Sequence, residues 1–283
     1  MRFFLPLLGA LAVALPGCVE PAVLGTSGSG DSSVGYAVVC SDYVSSQVAL
    51  METDGLAAAA DALIHSGSTG AGLTLSLSGD VVLPNVHSSG AQTLLIDRTH
   101  GVLTWVEMSS AAVTRQLAVS DRFAANPHDA LELPDGSILV TRYGIEPGPE
   151  GEGDDVAVFG PDGEFRQRVA FPVDAGLAAR PDRMIPVGDA VVVSLNHGAM
   201  DYSSWEAGRY ARMGKAQDEW VVEQTWVADG MRNCGGLATE DEAVALVCTG
   251  TFDAGKPSGE DSGVILTDAL GQESARLLGS DER

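Results

Sequence analysis

Short apolar, β-branched runs alternate with turn residues along most of this chain, and they recur. Four stretches share a turn followed by such a run: Gly79-Asp80-Val81-Val82-Leu83, Gly136-Ser137-Ile138-Leu139-Val140, Gly188-Asp189-Ala190-Val191-Val192-Val193 and Asp241-Glu242-Ala243-Val244-Ala245-Leu246-Val247. An earlier one reads Gly35-Tyr36-Ala37-Val38-Val39-Cys40. Runs of this kind, bounded by Gly and Asp, predict β-strands. A second strand follows each, over residues 47–51, 93–96, 156–159 and 264–266, and usually ends in an Asp/Gly turn. The corresponding segment of the fourth unit, residues 210–214, is degenerate. A last strand closes most units, over residues 102–108, 165–171, 220–227 and, weakly, 273–278. The helix-prone stretch Gly55-Leu56-Ala57-Ala58-Ala59-Ala60-Asp61 is too short for a stable helix and reads as a loop or single turn.

Similar strand groups roughly 45–55 residues apart are the signature of propeller blades. The predicted fold is all-β: a β-propeller of four-stranded antiparallel blades over residues 35–283. The pattern resembles the bacterial β-propellers of the YVTN, lactonase-like and gluconolactonase (SMP-30-like) type. Five units are visible, where propellers of this type commonly have six or seven. The ring is therefore read as five-bladed, open, or part of a longer protein. The first unit begins at its second strand.

Residues 1–17 carry a different pattern. Met1-Arg2 precedes an apolar run from Phe3 to Leu15, and Leu15-Pro16-Gly17-Cys18 follows. One basic residue, a short hydrophobic stretch and a small residue before the cut predict a secretory signal peptide, too short to span a bilayer. The segment ending in Cys18 resembles the lipobox of bacterial lipoproteins. That resemblance implies lipidation of Cys18 and stable membrane anchoring through several acyl chains. Val19 stands where an aspartate often signals inner-membrane retention, which favours the outer membrane. Residues 18–34 are then a lipidated cysteine and a Gly/Ser-rich tether.

The net charge is −23, from 39 acidic and 16 basic residues. A polyanion lacks the clustered Lys and Arg that phosphate backbones require, so nucleic acid is excluded as a partner. It is also poorly suited to an anionic lipid surface, which leaves the anchoring to the acyl chains. The expected partners are the membrane, through the anchor, and an envelope protein, peptide or glycan.

Of four cysteines, Cys234 and Cys248 flank a hairpin centred on Asp241. Equal distances from the turn place them opposite each other, and an exported protein meets an oxidising compartment, so they are expected to form a disulfide. Cys40 is expected to be a buried core thiol.

In a propeller, the connections from the last strand of one blade to the next, and those between second and third strands, emerge on one face. That face is expected to gather Asn126, His128, Asp129, Asp182, Arg183 and Asn233 from the first set, and Asn85, His87, Arg142, Tyr143, Asn196 and His197 from the second. Long loops at residues 146–155, 201–206 and 253–261 add to it. Two functions follow. In one, the face is a recognition surface. In the other, Asn126, Asp129, Asp182 and Asn233 supply hard oxygen ligands to a Ca²⁺ ion. The gluconolactonase-type resemblance implies such a metal, polarising a lactone or ester carbonyl. No HExxH, Gly-x-Ser-x-Gly or Walker motif is present. Trp205 is a candidate sugar platform, whereas Trp220 and Trp226 lie in a strand and are expected to pack.

Overall fold

The computed structural model describes residues 36–52, 58–70, 72–86, 91–120, 122–148, 151–240, 243–253, 256–257, 259–268 and 271–278. Among the described residues, five antiparallel sheets of three or four strands follow one another along the chain, with two further two-stranded sheets, Leu177–Ala178 with Gly198–Ala199 and Phe252–Asp253 with Lys256–Pro257. Blade 1 has three described strands, Tyr36–Ser41, Ser46–Met51 and Ala58–His65. Blade 2 comprises Val81–Val82, Gln92–Asp97, Val102–Glu107 and Val113–Ala118. Blade 3 comprises Pro127–Glu132, Ile138–Ile145, Gly153–Phe159 and Phe165–Ala170. Blade 4 comprises Pro181–Val187, Ala190–Leu195, Ala207–Ala216 and Glu219–Arg232. Blade 5 comprises Gly236–Glu240, Ala243–Cys248, Gly263–Thr267 and Glu273–Leu278.

The core lies between blades rather than within one. Sheets in this arrangement bury both faces, and the apolar residues divide into successive interblade layers. Val48, Leu50 and Ile64 of blade 1 meet Val81, Leu95 and Val106 of blade 2. Ile96, Leu103 and Trp105 of blade 2 meet Ile138, Val140 and Phe159 of blade 3. Val156 and Leu139 of blade 3 meet Val193, Met213 and Trp220 of blade 4. Val192 and Tyr210 of blade 4 meet Leu237, Leu246 and Ile265 of blade 5. Among the described residues no such layer joins blade 5 to blade 1. Val247, Leu266 and Leu277 on blade 5 and Tyr36 on blade 1 are exposed.

Several sequence expectations change. Val81–Val82 is the first strand of its blade, whereas the runs after Gly136 and Gly188 are second strands. The repeated turn-plus-run pattern therefore marks two different strand positions. Residues 58–61 belong to a strand that pairs with Ser46–Met51, because pairing and the burial of Leu63 and Ile64 override local helix preference. The third strand of blade 4 runs from Ala207 to Ala216 with two bulges in its pairing to the fourth, so that unit is complete and not degenerate. Cys40 is exposed, since its neighbour Val39 takes the face turned towards blade 2.

The Cys234–Cys248 disulfide is present. Its register differs from expectation, because Gly236 pairs with Val247, which places Cys234 just outside the ladder rather than opposite Cys248. Asn233, with φ of 52°, bends the chain so that the two meet with Cα atoms 3.8 Å apart.

Candidate functional site: a polar and aromatic arc over blades 3 and 4

Each later blade starts with a residue in the left-handed conformation. These are Asn126 (φ 45°), Arg180 (φ 55°) and Asn233 (φ 52°). Their carbonyls accept the N–H groups of Tyr143 (3.3 Å), near the end of the second strand of blade 3, and of Asn196 (3.0 Å) and Thr249 (3.1 Å), the residues just past the second strands of blades 4 and 5. This repeated bend sets His128, Asp182 and Gly235 as equivalent positions at the start of each innermost strand, beside Tyr143, Asn196 and Thr249.

The result is an arc built from blades 3 and 4. His128 Nδ1 lies 3.0 Å from Asp182 Oδ1. Asn196 Nδ2 donates to Asp182 Oδ2 at 2.9 Å and lies 3.4 Å from the Tyr143 hydroxyl. The His128 ring stacks on Tyr143 with centroids 4.0 Å apart and planes at 8°. The guanidinium of Arg180 continues the column, 5.2 Å from the Tyr143 centroid and 3.9 Å from that of Tyr202. Arg180 donates to the Tyr202 hydroxyl at 2.7 Å and to the carbonyls of Tyr143 (3.0 Å) and Met200 (2.7 Å). Trp205 meets Tyr202 edge-on at 6.3 Å. Burial raises the Tyr143 hydroxyl well above the usual tyrosine range, so it stays protonated. Blade 5 contributes no side chain at the equivalent position. A Cβ on Gly235 would stand 2.5 Å from Asp182 Oδ2, so the Asp182 carboxylate occupies that space.

The Asp182 carboxylate is an acceptor for a His128 Nδ1–H, and Nε2 is the ring's second hydrogen-bonding atom. Asn196 Oδ1 is buried without a hydrogen-bond partner, as is Arg180 Nε. The arc thus combines fixed donors and acceptors with an exposed aromatic ring at Tyr202, the mixture by which rigid sites orient a polar ligand.

The other predicted residues have different tasks, and among the described ones Arg183 alone borders the arc. Asp129 is buried and acts as a pin between blades. Its carboxylate accepts the N–H groups of Asn85 (2.8 Å), Ala130 (2.9 Å) and Met184 (2.7 Å), joining blades 2, 3 and 4. Asn85 follows the innermost strand of blade 2 rather than a second strand, and its Nδ2 donates to the Met184 carbonyl at 3.1 Å. Arg183 donates to the carbonyls of Leu83 (3.2 Å) and His128 (3.0 Å), and lies 3.9 Å from Asp129 and 3.7 Å from Asp182. Arg142 points away from the arc and makes a buried bidentate pair with Asp155. His197 is buried at the periphery with Nδ1 3.2 Å from the Ala207 carbonyl, and burial lowers its pKa. Asn126 serves through its backbone bend, and Asn233 Nδ2 donates to Thr249 Oγ1 at 2.7 Å. His87 and Cys18 lie outside the described residues.

The four residues expected to hold Ca²⁺ therefore have separate tasks. Among the described residues, no three His, Cys, Asp or Glu side chains come together in a way that could hold a metal ion.

Two hydroxyls that the sequence reading did not select connect neighbouring blades. Thr141 Oγ1 accepts from the Asp129 N–H (2.8 Å) and donates to the Asp182 carbonyl (2.9 Å). Ser194 Oγ accepts from the Arg183 N–H (3.0 Å) and donates to the Gly235 carbonyl (3.2 Å). Both sit two residues before a chosen residue, Tyr143 or Asn196, and aligning the repeats strand by strand would have exposed them.

Fold and arc together define a β-propeller protein. No protein-family model matches the chain, and no curated protein matches its sequence. Among solved structures, hydrazine synthase of Kuenenia stuttgartiensis is similar, with a TM-score of 0.54 and 13% identity over 82% of this chain. The match spans 60% of the hydrazine synthase chain. A candidate 6-phosphogluconolactonase from Bacteroides uniformis gives a TM-score of 0.58 at 12% identity, over 87% of this chain and 69% of that one. A protein of unknown function from Bacteroides caccae gives 0.51 at 11% identity, over 86% of this chain and 77% of that one. At such identities the likeness is one of fold.

Proposed function

We propose that this chain is an exported lipoprotein, anchored to the bacterial envelope through Cys18, whose propeller recognises a peptide or glycan at the arc of His128, Tyr143, Asp182, Asn196 and Tyr202. The observation that carries the reading is the cross-blade network itself. Residues 54 positions apart, His128 and Asp182, are locked together beside a stacked column that ends in an exposed ring. Such preorganisation reduces the ordering cost of binding. Metal-assisted lactone or ester hydrolysis fits less well, because the carboxylate of Asp129 is already engaged by three backbone N–H groups.

The test is an array of glycans and peptides probed with the purified chain. A ligand found this way should bind His128→Ala and Asn196→Ala at least about tenfold more weakly, a loss of roughly 1.4 kcal/mol. Both variants should still unfold cooperatively, with a loss of about 1–3 kcal/mol from the broken bonds to Asp182. Undiminished binding by both variants would place recognition elsewhere. The anchor has its own check. Cys18→Ser should shift the protein from the membrane to the soluble fraction and remove the acyl mass. Continued membrane association would overturn the lipid assignment.

A further inference from the structure

The opposite end of the axis holds a cavity of about 540 Å³ between blades 2, 3 and 4. It is formed on the side of the turns between first and second strands, around Pro134-Asp135 and Gly188-Asp189, away from the arc. Its walls are apolar and include Val86, Leu94, Leu131, Ala190 and Trp220. Packing defects in a protein interior are rarely larger than a water molecule. A space of several hundred Å³ with apolar walls and a few polar groups falls in the range of small-molecule sites.

Its mouth has a definite charge. Glu132, Asp135 and Asp189 are carboxylates, Glu132 accepting from Trp105 Nε1 at 2.8 Å, and Lys215 is the basic residue among those lining the cavity. Lys215 is engaged already, with Nζ 3.2 Å from Asp135 Oδ2 and 5.4 Å from the centroid of the Trp220 ring. Asp189 is fully exposed and lies 3.8 Å from Arg212. An ammonium already rests over the Trp220 face, which marks that ring as a cation platform. Three carboxylates, Glu132, Asp135 and Asp189, face two basic side chains, Lys215 and Arg212, around an apolar well, in a chain of net charge −23.

We infer that this cavity binds a small molecule with an apolar body and a cationic head. The body fills the well, and the head sits among Asp135, Asp189 and the Trp220 face. This site is separate from the arc and does not depend on the function proposed for it.

Two ions of the same shape and opposite charge test the inference: tetraphenylphosphonium and tetraphenylborate, each titrated calorimetrically into the full chain. The cation should bind one site, perturb Trp fluorescence and bind at least about tenfold tighter than the anion. Ala190→Phe, which fills the well, should abolish binding. The doubly substituted Asp135→Asn, Asp189→Asn chain changes only exposed side chains and should bind the cation about three- to tenfold more weakly. His128→Ala should leave cation binding unchanged. Equal or tighter binding of the anion, no saturable binding of either ion, or a cation affinity unaffected by the double substitution would each overturn the inference. The last comparison decides the matter even if Ala190→Phe does not fold.

Discussion

Asp155→Ala is expected to be the most damaging single substitution in the described chain, with a loss of about 3–5 kcal/mol. Asp155 is fully buried, and Arg142 has 2% of its side chain exposed. Arg142 Nε and Nη2 donate to the two Asp155 oxygens at 2.8 Å each. Arg168 Nε approaches the same carboxylate at 2.9 Å, and the Gly153 N–H donates to it at 3.1 Å. Removing the carboxylate leaves a buried guanidinium between Phe123 and Phe165 with Glu152, 3.2 Å away, as its remaining acid. Breaking one side of a buried pair costs more than the pair contributes, because the other charge stays behind. Asp155→Leu combined with Arg142→Met should therefore recover much of the loss. Urea unfolding of the three proteins checks this, and a loss below about 1 kcal/mol for Asp155→Ala would refute it.

Asp129→Ala is expected to cost about 3 kcal/mol, since buried N–H groups of Asn85, Ala130 and Met184 lose their acceptor. The carboxylate also predicts a pH dependence. Burial raises its pKa to about 6, outweighing the three N–H donors and Arg183. In the unfolded chain the group titrates at its ordinary value of 3.8. Between these values the native protein holds a proton that the unfolded chain has released. The contribution of Asp129 to stability is thus complete below about pH 4 and falls as the pH rises to about 6. Asp129→Asn removes the titration. The stability of the unaltered protein relative to that variant should decline across this window by on the order of 2–3 kcal/mol. A flat difference between the two curves would show that Asp129 is ionised throughout.

These two acids illustrate what could be read from the sequence. In the sequence Asp129 reads as a candidate ligand because it starts a blade. Its true role depends on Asn85 and Met184, which lie 44 and 55 residues away and are unremarkable in sequence. Arg142 was selected because it ends a second strand beside Tyr143. Strand alternation sends adjacent side chains to opposite faces, so Tyr143 joins the arc while Arg142 turns to Asp155. Five units were legible because each blade repeats the same local pairing. The strand position of the blade 2 run was not, because a turn followed by Val-Val fits a first or a second strand equally well.

The all-β class, the recurring unit, the Cys234–Cys248 pairing and the segments that carry His128, Tyr143, Asp182 and Asn196 can be read along the chain. All of these follow from local periodicity and turn chemistry, which need only near neighbours. Which of these polar residues meet, which serve as pins between blades, and where an acid-rimmed apolar cavity opens emerge only once the blades are packed together. Those outcomes depend on how separate sheets pack about an axis, and a side chain's partner there is set by distance in space, not along the chain.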